Sequence, residues 1–267
     1  MEKVINILGS GVMGEQIAAL FYLGGYSVCI WDMKEVDEKK IFYQAKLLKR
    51  ILKEFGEGRL KIVNKLSDLT DCPTIESVAE NLDVKKSLIR EIKKSIRKPV
   101  FSNTSSYIPS EIGEGVNALH FFNPIALKIV EYHLCEDVAD NQTDEARHIL
   151  NFLRDKGYEL IHVKENRGYI GNNLVFNIIS EYFRLIEQYK YRPEDVDKMY
   201  SVLFPGGKVS DLIDMIGIDT VFKILNNLWE ENRNLYIPLS LKTALEKNIL
   251  GKKNKTSVLN IIKSVKE

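Results

Sequence analysis

Near its amino terminus the chain reads Val4-Ile5-Asn6-Ile7-Leu8-Gly9-Ser10-Gly11-Val12-Met13-Gly14. The short apolar run predicts a buried strand, and a helical stretch over residues 15–23 follows the glycines. Gly24 ends that helix, and a second buried strand over residues 27–31 leads into Asp32. Strand, glycine-rich turn, helix, strand and acidic residue in this order predict one right-handed βαβ unit.

The glycine-rich turn is typical of dinucleotide-binding folds. Gly9 permits the tight turn, Gly11 lets a pyrophosphate approach the backbone, and Gly14 lets the helix pack closely on the strand. Val12 and Met13 complete the turn at the helix N-terminus, which faces the phosphates. We therefore expect all five residues to contact a dinucleotide cofactor.

The acidic residue after the second strand indicates which dinucleotide binds. The Asp32 carboxylate can accept hydrogen bonds from the adenosine ribose hydroxyls and would repel a 2′-phosphate. NAD is therefore expected rather than NADP, although the nearby Lys34 softens this preference. The alternatives are a flavin or a nucleotide with a structural role only.

Further along the chain, short strands and helices alternate. The predicted strands cover residues 61–63, 74–78, 100–102, 117–121, 128–132 and 159–163, and the predicted helices cover 34–56, 84–96 and 143–156. Such alternation predicts an α/β fold with a doubly wound, mainly parallel sheet of Rossmann type.

The pattern changes to helices alone near residue 169. These helices are predicted at 169–189, 193–203, 210–216, 219–232 and 239–247. We therefore predict an NAD-binding Rossmann domain over residues 1–165 and an all-helical domain for substrate binding and dimerisation over 166–267. The apolar helix near residues 221–229 favours a homodimer, because one thin helical layer would not bury it.

Composition and charge exclude several classes of protein. The 38 Lys and Arg residues nearly balance 37 Asp and Glu, so a formal net charge of +1 gives no basic field for nucleic acid or an anionic membrane. No apolar run approaches the roughly 18 residues of a membrane helix, and the N-terminus does not read as a signal peptide. Cys29, Cys72 and Cys135 lack metal-site spacing. We expect a cytoplasmic protein with reduced cysteines and no metal.

Polar motifs occupy three positions at which open α/β sheets bind ligands. Ser102-Asn103-Thr104-Ser105-Ser106 and His120-Phe121-Phe122-Asn123-Pro124 each close a predicted strand. Gly168-Tyr169-Ile170-Gly171-Asn172-Asn173-Leu174 opens the first helix of the second domain. Strand ends and domain junctions are the usual ligand positions in such folds.

With these motifs the chain resembles the L-3-hydroxyacyl-CoA dehydrogenase family over essentially its whole length, as a divergent and short member close to the 3-hydroxybutyryl-CoA dehydrogenases. The matching segments, in order, are GSGVMG, ESVAENLDVKK, SNTSS, HFFNP followed by KIVE, GYIGNNL, and FPGG followed by DLIDMIGIDT. The resemblance implies NAD-dependent interconversion of a 3-hydroxyacyl and a 3-ketoacyl thioester, a reaction of fatty acid metabolism.

The resemblance also implies individual roles. It makes His120 the catalytic base and Glu131 its partner, while Ser105 bonds the substrate oxygen and Asn172 contacts both the substrate and the histidine. Its nicotinamide-side contacts are Glu80, Lys85 and Asn103.

These residue types suit the chemistry on their own terms. Oxidation of a secondary alcohol needs a base for the hydroxyl proton, and imidazole can serve near neutral pH. A carboxylate beside the imidazole fixes its tautomer and stabilises the imidazolium. The alternative interpretations are that His120 is a core histidine on a strand and that Glu131 is a solvated carboxylate at a sheet edge.

Several features depart from the family pattern. One residue is missing between the HFFNP histidine and its glutamate, together with a second proline, and Asn173 replaces the usual arginine. The usual glycine-rich tail is replaced by residues 255–259. The helical hairpin that reaches over the coenzyme A nucleotide is shortened to residues 34–55.

The shortened hairpin leaves open which group carries the acyl chain of the substrate. It could be coenzyme A or the phosphopantetheine arm of an acyl carrier protein, as in relatives that prepare extender units. A dehydrogenase of a free hydroxy or sugar acid and a non-catalytic, crystallin-like protein are further alternatives, and the complete set of catalytic residue types argues against the last.

Overall fold

The computed structural model describes residues 3–135 and 140–264, which divide into two units, Met1–Asn166 and Arg167–Glu267. The described part of the first unit contains one sheet. Its strands are β1 (Val4–Leu8), β2 (Ser27–Trp31), β3 (Arg59–Ile62), β4 (Thr74–Glu76), β5 (Val100–Ser102), β6 (Val116–Phe121), β7 (Ile129–His133) and β8 (Glu159–His162).

The strands follow the order β3-β2-β1-β4-β5-β6-β7-β8. Every neighbouring pair is parallel except β6 and β7, which run antiparallel. The chain crosses from one side of β1 to the other between β3 and β4, which is the arrangement of a doubly wound sheet. The predicted mainly parallel Rossmann-type sheet is confirmed.

Helices cover both faces of this sheet. They are α1 (Val12–Leu23), α2 (Glu38–Leu48), α3 (Leu82–Ile92), α4 (Pro109–Ile112) and α5 (Asp140–Asp155). Ile5 and Ile7 of β1 point into a core that includes residues of α1, α2 and α5, whereas Leu8 belongs to the core beneath α3 and α4. Both faces of β1 are buried, which explains its continuous apolar sequence.

The second unit is helical, as predicted. Its helices are α6 (Gly171–Glu187), α7 (Pro193–Leu203), α8 (Val209–Ile216), α9 (Ile218–Trp229), α10 (Leu239–Glu246) and α11 (Val258–Ser264). The apolar residues of α9, among them Val221, Leu225 and Leu228, are buried in the core of this unit. They therefore need no partner subunit, and this argument for a dimer is wrong.

The long helix predicted over residues 34–56 is also wrong, because α2 spans only Glu38–Leu48. It starts where the Asp37 carboxylate accepts a hydrogen bond from the Lys39 N–H at 3.0 Å, a standard N-cap. It ends in a turn in which the Ile51 and Leu52 N–H groups both donate to the Leu48 carbonyl.

The glycines after this turn bring the chain back toward the sheet. The Gly56 N–H donates to the Leu23 carbonyl at 2.9 Å, and the Gly58 N–H donates to the Tyr22 carbonyl at 2.8 Å. A side chain at Gly58 would overlap the backbone of Tyr26. These tertiary bonds, which local helix propensity does not include, end the helical region early and start β3.

Two short helices, α4 and α11, were not predicted from the sequence. Helix α4 has four residues with Pro109 at its first position. At α11 the Asp214 carboxylate accepts a hydrogen bond from the Val258 N–H at 2.7 Å, so the helix start depends on a residue 44 positions away. Among the described residues, no helix is both long and apolar enough to cross a membrane.

Candidate active site

The glycine-rich turn leaves β1 in a conformation that only glycine adopts easily. Gly9 has φ +103°, and its N–H donates to the Trp31 carbonyl at 2.7 Å. A side chain at Gly9 would overlap the Ser77 carbonyl, and one at Gly14 would overlap the Gly9 carbonyl. Gly9 and Gly14 are therefore required by the close approach of backbone segments.

Gly11 differs, because a Cβ there would meet no atom within 4 Å. Gly11 is the N-cap of α1, and no side chain caps this helix. Val12, which follows it, is 61% exposed. An uncapped helix N-terminus that opens onto space beside a glycine fits the pyrophosphate of NAD, and Met13 lies half-buried behind it.

The Asp32 carboxylate lies against this turn at the end of β2. Its Oδ2 accepts hydrogen bonds from the Ser10 N–H at 2.6 Å and the Ser10 hydroxyl at 3.1 Å, and its Oδ1 accepts from the Lys34 N–H at 2.8 Å. Partial burial works to raise the pKa of Asp32, but these hydrogen bonds outweigh it, so the pKa lies below its ordinary value. Asp32 therefore carries a full negative charge at neutral pH.

Lys85, predicted to contact the nicotinamide side of NAD, is buried between two carboxylates. Its Nζ lies 2.7 Å from Glu76 Oε1 and 3.1 Å from Glu80 Oε2, and its side chain is 1% exposed. Burial lowers the pKa of Lys85, but the two carboxylates more than offset it, so the net pKa is raised. The ammonium group is thus held charged inside the protein.

Glu80 connects this ion cluster to the Ser102–Ser106 loop. Its Oε1 accepts from the Thr104 hydroxyl at 2.6 Å, the Ser105 N–H at 3.1 Å and the Ser106 N–H at 3.0 Å. Burial raises the pKa of Glu80, but Lys85 and these donors reverse the effect and lower it. The carboxylate therefore organises the loop that carries Ser105.

Asn103 links the ends of three strands. Its N–H donates to the Glu76 carbonyl at 2.8 Å, and its Nδ2 donates to the Ser77 hydroxyl at 3.2 Å. Its Oδ1 accepts from the Phe121 N–H at 2.8 Å, directly after His120. These bonds hold the carboxyl ends of β4, β5 and β6 in one fixed arrangement.

His120 and Glu131 form a buried pair on the antiparallel strands β6 and β7. They are register partners, and His120 Nδ1 lies 2.8 Å from Glu131 Oε2. Their side chains are 8% and 2% exposed, so Glu131 is not a solvated edge residue. A proton on Nδ1 donates to the carboxylate, which leaves Nε2 as the nitrogen that can act as a base.

The missing residue before Glu131 does not separate the pair. A short 3-10 helix over Ile125–Leu127 closes the turn after Pro124. Lys128 then takes a left-handed conformation with φ +55° as the chain enters β7. The contraction is absorbed in this turn, before the strands pair.

The predicted substrate residues belong to different units. Ser105 follows β5 in the first unit, next to the end of β6 that carries His120. Asn172 lies at the start of α6 in the second unit, where its N–H donates to the Gly168 carbonyl at 3.1 Å. Asn173, which replaces an arginine of the family pattern, donates its Nδ2 to the Tyr169 carbonyl at 2.6 Å and so stabilises its own turn.

Sequence reasoning missed two buried polar residues beside these groups. Glu76 is fully buried at the end of β4, where its Oε2 accepts from the Ser102 hydroxyl at 2.6 Å. Gln16 lies 5% exposed on α1. In both cases the available signal was a polar residue at a position that the apolar pattern assigns to the core.

The cysteines lie apart from this chemistry. Burial raises the pKa of Cys72 to about 12 and raises that of Cys29 as well, so both thiols are protonated at neutral pH and unreactive. Within residues 3–135 and 140–264, no group of three or more His, Cys, Asp or Glu side chains is arranged to hold a metal.

The doubly wound sheet, its glycine turn and a helical second unit define the class of two-domain, dinucleotide-dependent oxidoreductases. The model of the 3-hydroxyacyl-CoA dehydrogenase NAD-binding domain matches residues 4–166, and that of the 3-hydroxyacyl-CoA dehydrogenase C-terminal domain matches residues 168–260. The chain therefore belongs to the 3-hydroxyacyl-CoA dehydrogenase family, as an NAD-dependent oxidoreductase.

Individual relatives agree over nearly the whole length. The human mitochondrial hydroxyacyl-coenzyme A dehydrogenase is 28% identical, covering 94% of this chain and 88% of the human protein. A probable 3-hydroxybutyryl-CoA dehydrogenase of Deinococcus radiodurans is 25% identical, covering 93% and 96% of the two chains. The crystal structure of M. tuberculosis FadB2 superposes with a TM-score of 0.82 at 25% identity, covering 95% and 97%.

Proposed function

We propose that this chain interconverts a 3-hydroxyacyl-CoA and the 3-ketoacyl-CoA with NAD, and that His120 is the catalytic base. The buried His120–Glu131 pair, with Nδ1 and Oε2 2.8 Å apart, is the observation that carries the proposal. It supplies an oriented imidazole at the carboxyl edge of the sheet, the usual ligand position in this fold.

In the oxidation, His120 Nε2 takes the proton of the substrate hydroxyl group. When bound, NAD supplies the nicotinamide carbon that accepts a hydride from the substrate carbon that bears this hydroxyl group. Glu131 accepts the Nδ1–H hydrogen bond throughout, so that the imidazolium is stabilised as it forms. His120 then releases the proton to solvent, and the reduction follows the reverse course.

The oxygen that becomes a carbonyl needs hydrogen-bond donors. We assign this role to the Ser105 hydroxyl and the Asn172 amide. The backbone N–H of Ser105 is held by Glu80, which supports a fixed position for its side chain. Donors that are aligned in advance favour the charge that develops on oxygen.

We assign cofactor binding to the carboxyl edge of strands β1, β2, β4 and β5. The residues are Gly9, Gly11, Val12, Met13, Gly14, Asp32, Glu80, Lys85 and Asn103. The open space beside Gly11 supports the pyrophosphate position, and the charged Asp32 supports NAD over NADP. In this proposal residues 1–165 bind NAD, and residues 166–267 contribute to substrate binding and dimerisation.

A second candidate substrate is a hydroxyacyl group carried by an acyl carrier protein. Between β2 and β3, where the family pattern has a helical hairpin over the coenzyme A nucleotide, the chain has only the eleven-residue helix α2. The shorter segment leaves less protein to contact a nucleotide. This favours an acyl group carried on a phosphopantetheine arm, which contains no nucleotide.

NADH absorbance separates the candidates. Acetoacetyl-CoA, acetoacetyl carrier protein and a free hydroxy acid are compared at equal concentrations, with NAD or NADH as required. We expect the highest kcat/KM with acetoacetyl-CoA. A higher value with the carrier protein would select the second candidate, and turnover of the free acid alone would reject both thioester proposals.

A further inference from the structure

Gln16 joins the cofactor-binding helix to the turn that follows His120. It lies one helical turn after Val12 on α1 and is 5% exposed. Its Nε2 donates to the Val12 carbonyl and to Asn123 Oδ1, both at 3.2 Å, and its Oε1 accepts from the Ile125 N–H at 3.0 Å. Both donor hydrogens of the Gln16 amide are therefore used.

The two backbone partners fix the orientation of the Gln16 amide. A backbone N–H such as that of Ile125 can only donate, and a carbonyl such as that of Val12 can only accept. The Gln16 oxygen must therefore face Ile125, and its nitrogen must face Val12. Asn123 then has to present its oxygen, and not its Nδ2, to Gln16.

The turn also depends on Gln16 for its buried backbone. Ile125 is 1% exposed, and a buried N–H without a partner is costly. Between His120 and this turn, the Phe121 N–H donates to Asn103 Oδ1. The backbone that follows His120 is thus fixed by Asn103 after β5 and by Gln16 on α1.

We propose that Gln16 is a positioning residue, which fixes the Asn123–Ile125 turn and through it the imidazole of His120. This inference rests on the proposed role of His120 as the base. Since α1 also presents its N-terminus to the cofactor phosphates, Gln16 connects the helix that binds NAD with the residue that moves the proton.

The test compares Gln16→Met, which keeps the length of the side chain and removes its hydrogen bonds, with Ile17→Val. Ile17 is the fully buried neighbour on the same helix, so its truncation loosens the packing of α1 but removes none of the hydrogen bonds between Gln16 and the turn. We expect Gln16→Met to lower kcat about tenfold, a change in activation free energy about equal to the contribution of one hydrogen bond. The KM for NAD should change less than about twofold, and Ile17→Val should leave kcat close to that of the wild type.

A double variant separates a positioning role from a structural one. If Gln16 acts through His120, Gln16→Met should not lower the residual rate of His120→Gln any further. An equal loss in both backgrounds, or a wild-type kcat for Gln16→Met, would overturn the proposal. If His120→Gln itself keeps full activity, the proposed function fails instead, so the two failures are distinguishable.

Hydrogen exchange in the wild-type protein gives a measurement that needs no folded variant. The Ile125 amide should be protected although it lies in a turn, because Gln16 accepts its hydrogen bond. Exchange at the rate of an open loop would show that this bond is absent in solution, and the inference would be wrong.

Discussion

His120 and Glu131 lie directly opposite each other on antiparallel strands, with Nδ1 of the one 2.8 Å from Oε2 of the other. The pair is buried, although β7 begins after a turn that is one residue shorter than the family pattern. An antiparallel ladder brings directly opposed side chains together, so the register alone is sufficient to join them.

The first prediction concerns this pair. His120→Gln should lower kcat by about 10²–10⁴-fold and leave the affinity for NAD nearly unchanged, because an amide cannot accept the proton. Glu131→Gln should also lower the rate, because a neutral amide no longer stabilises the imidazolium. This decrease should be smaller than that of His120→Gln. Steady-state kinetics of both variants beside the wild type measures both effects. If Glu131→Gln keeps the rate of the wild type, another carboxylate orients His120.

The second prediction concerns the choice of cofactor. NAD should bind more tightly than NADP, and Asp32→Ala should weaken this preference by removing the charge that repels a 2′-phosphate. Because the pKa of Asp32 is lowered, the preference should persist from neutral into mildly acidic pH. It should fade only as the pH falls through the lowered pKa. Fluorescence titration with both cofactors tests this, and equal affinities in the wild type would reject the assignment.

The third prediction compares two glycines of one turn. Gly11→Ala adds a methyl group in open space and should fold with a nearly unchanged Tm, yet bind NAD less tightly because the methyl lies where the pyrophosphate is expected. Gly14→Ala would overlap the Gly9 carbonyl and should lower the Tm itself. Calorimetry and NAD titration of both variants separate the effects. Unchanged NAD affinity in Gly11→Ala would place the pyrophosphate elsewhere.

The fourth prediction concerns Glu80, whose pKa is lowered from an ordinary value of 4.5. A carboxyl group whose pKa is lowered by folding stabilises the folded protein at pH values above its ordinary pKa. This contribution is lost as the pH falls through the folded-state pKa. Glu80→Gln should therefore lower the free energy of unfolding by about 2 kcal/mol at pH 7. The difference from the wild type should shrink as the pH falls below the ordinary value and through the lowered pKa of Glu80.

Thermal or urea unfolding at several pH values measures this difference. Glu91→Gln is the matched control. Glu91 pairs with Lys94, and both side chains are exposed, so this ion pair contributes little to stability. A Glu80→Gln difference that stays constant with pH would mean that its charge does not stabilise the fold.

The fifth prediction concerns assembly. We expect a homodimer. The surface to test consists of exposed apolar side chains at the C-terminal end of α7 and directly after it: Met199 (61% exposed), Val202 (72%), Leu203 (62%) and Phe204 (56%). Leu203→Asp should shift light scattering toward the monomer, whereas Lys242→Asp on α10 should not. A wild-type monomer at micromolar concentration would contradict the prediction.

The sequence by itself determined the type of fold and the candidate residues. A buried apolar strand, three glycines and Asp32 follow one another locally, and each has a local physical reason, so the βαβ unit needed no tertiary information. The resemblance of the later motifs to those of the 3-hydroxyacyl-CoA dehydrogenases selected His120, Glu131 and Ser105 as candidates.

Tertiary structure decided where elements end and which side chains meet. Helix α2 stops at Leu48 because Gly56 and Gly58 bond to residues at the end of α1, and α11 begins where Asp214 accepts its first N–H. Propensity sums only local preferences, so it extended α2 to residue 56 and missed α11.

The polar contacts of the site are also tertiary. Glu76, Lys85 and Glu80 form one buried cluster, and Gln16 reaches Ile125 across 109 positions of sequence. No periodicity encodes such partners, because a buried polar group is satisfied by whatever the fold brings within about 3 Å. The sequence therefore named the residues that could do the chemistry, and the packing of the sheet and helices decided which of them hold the others in place.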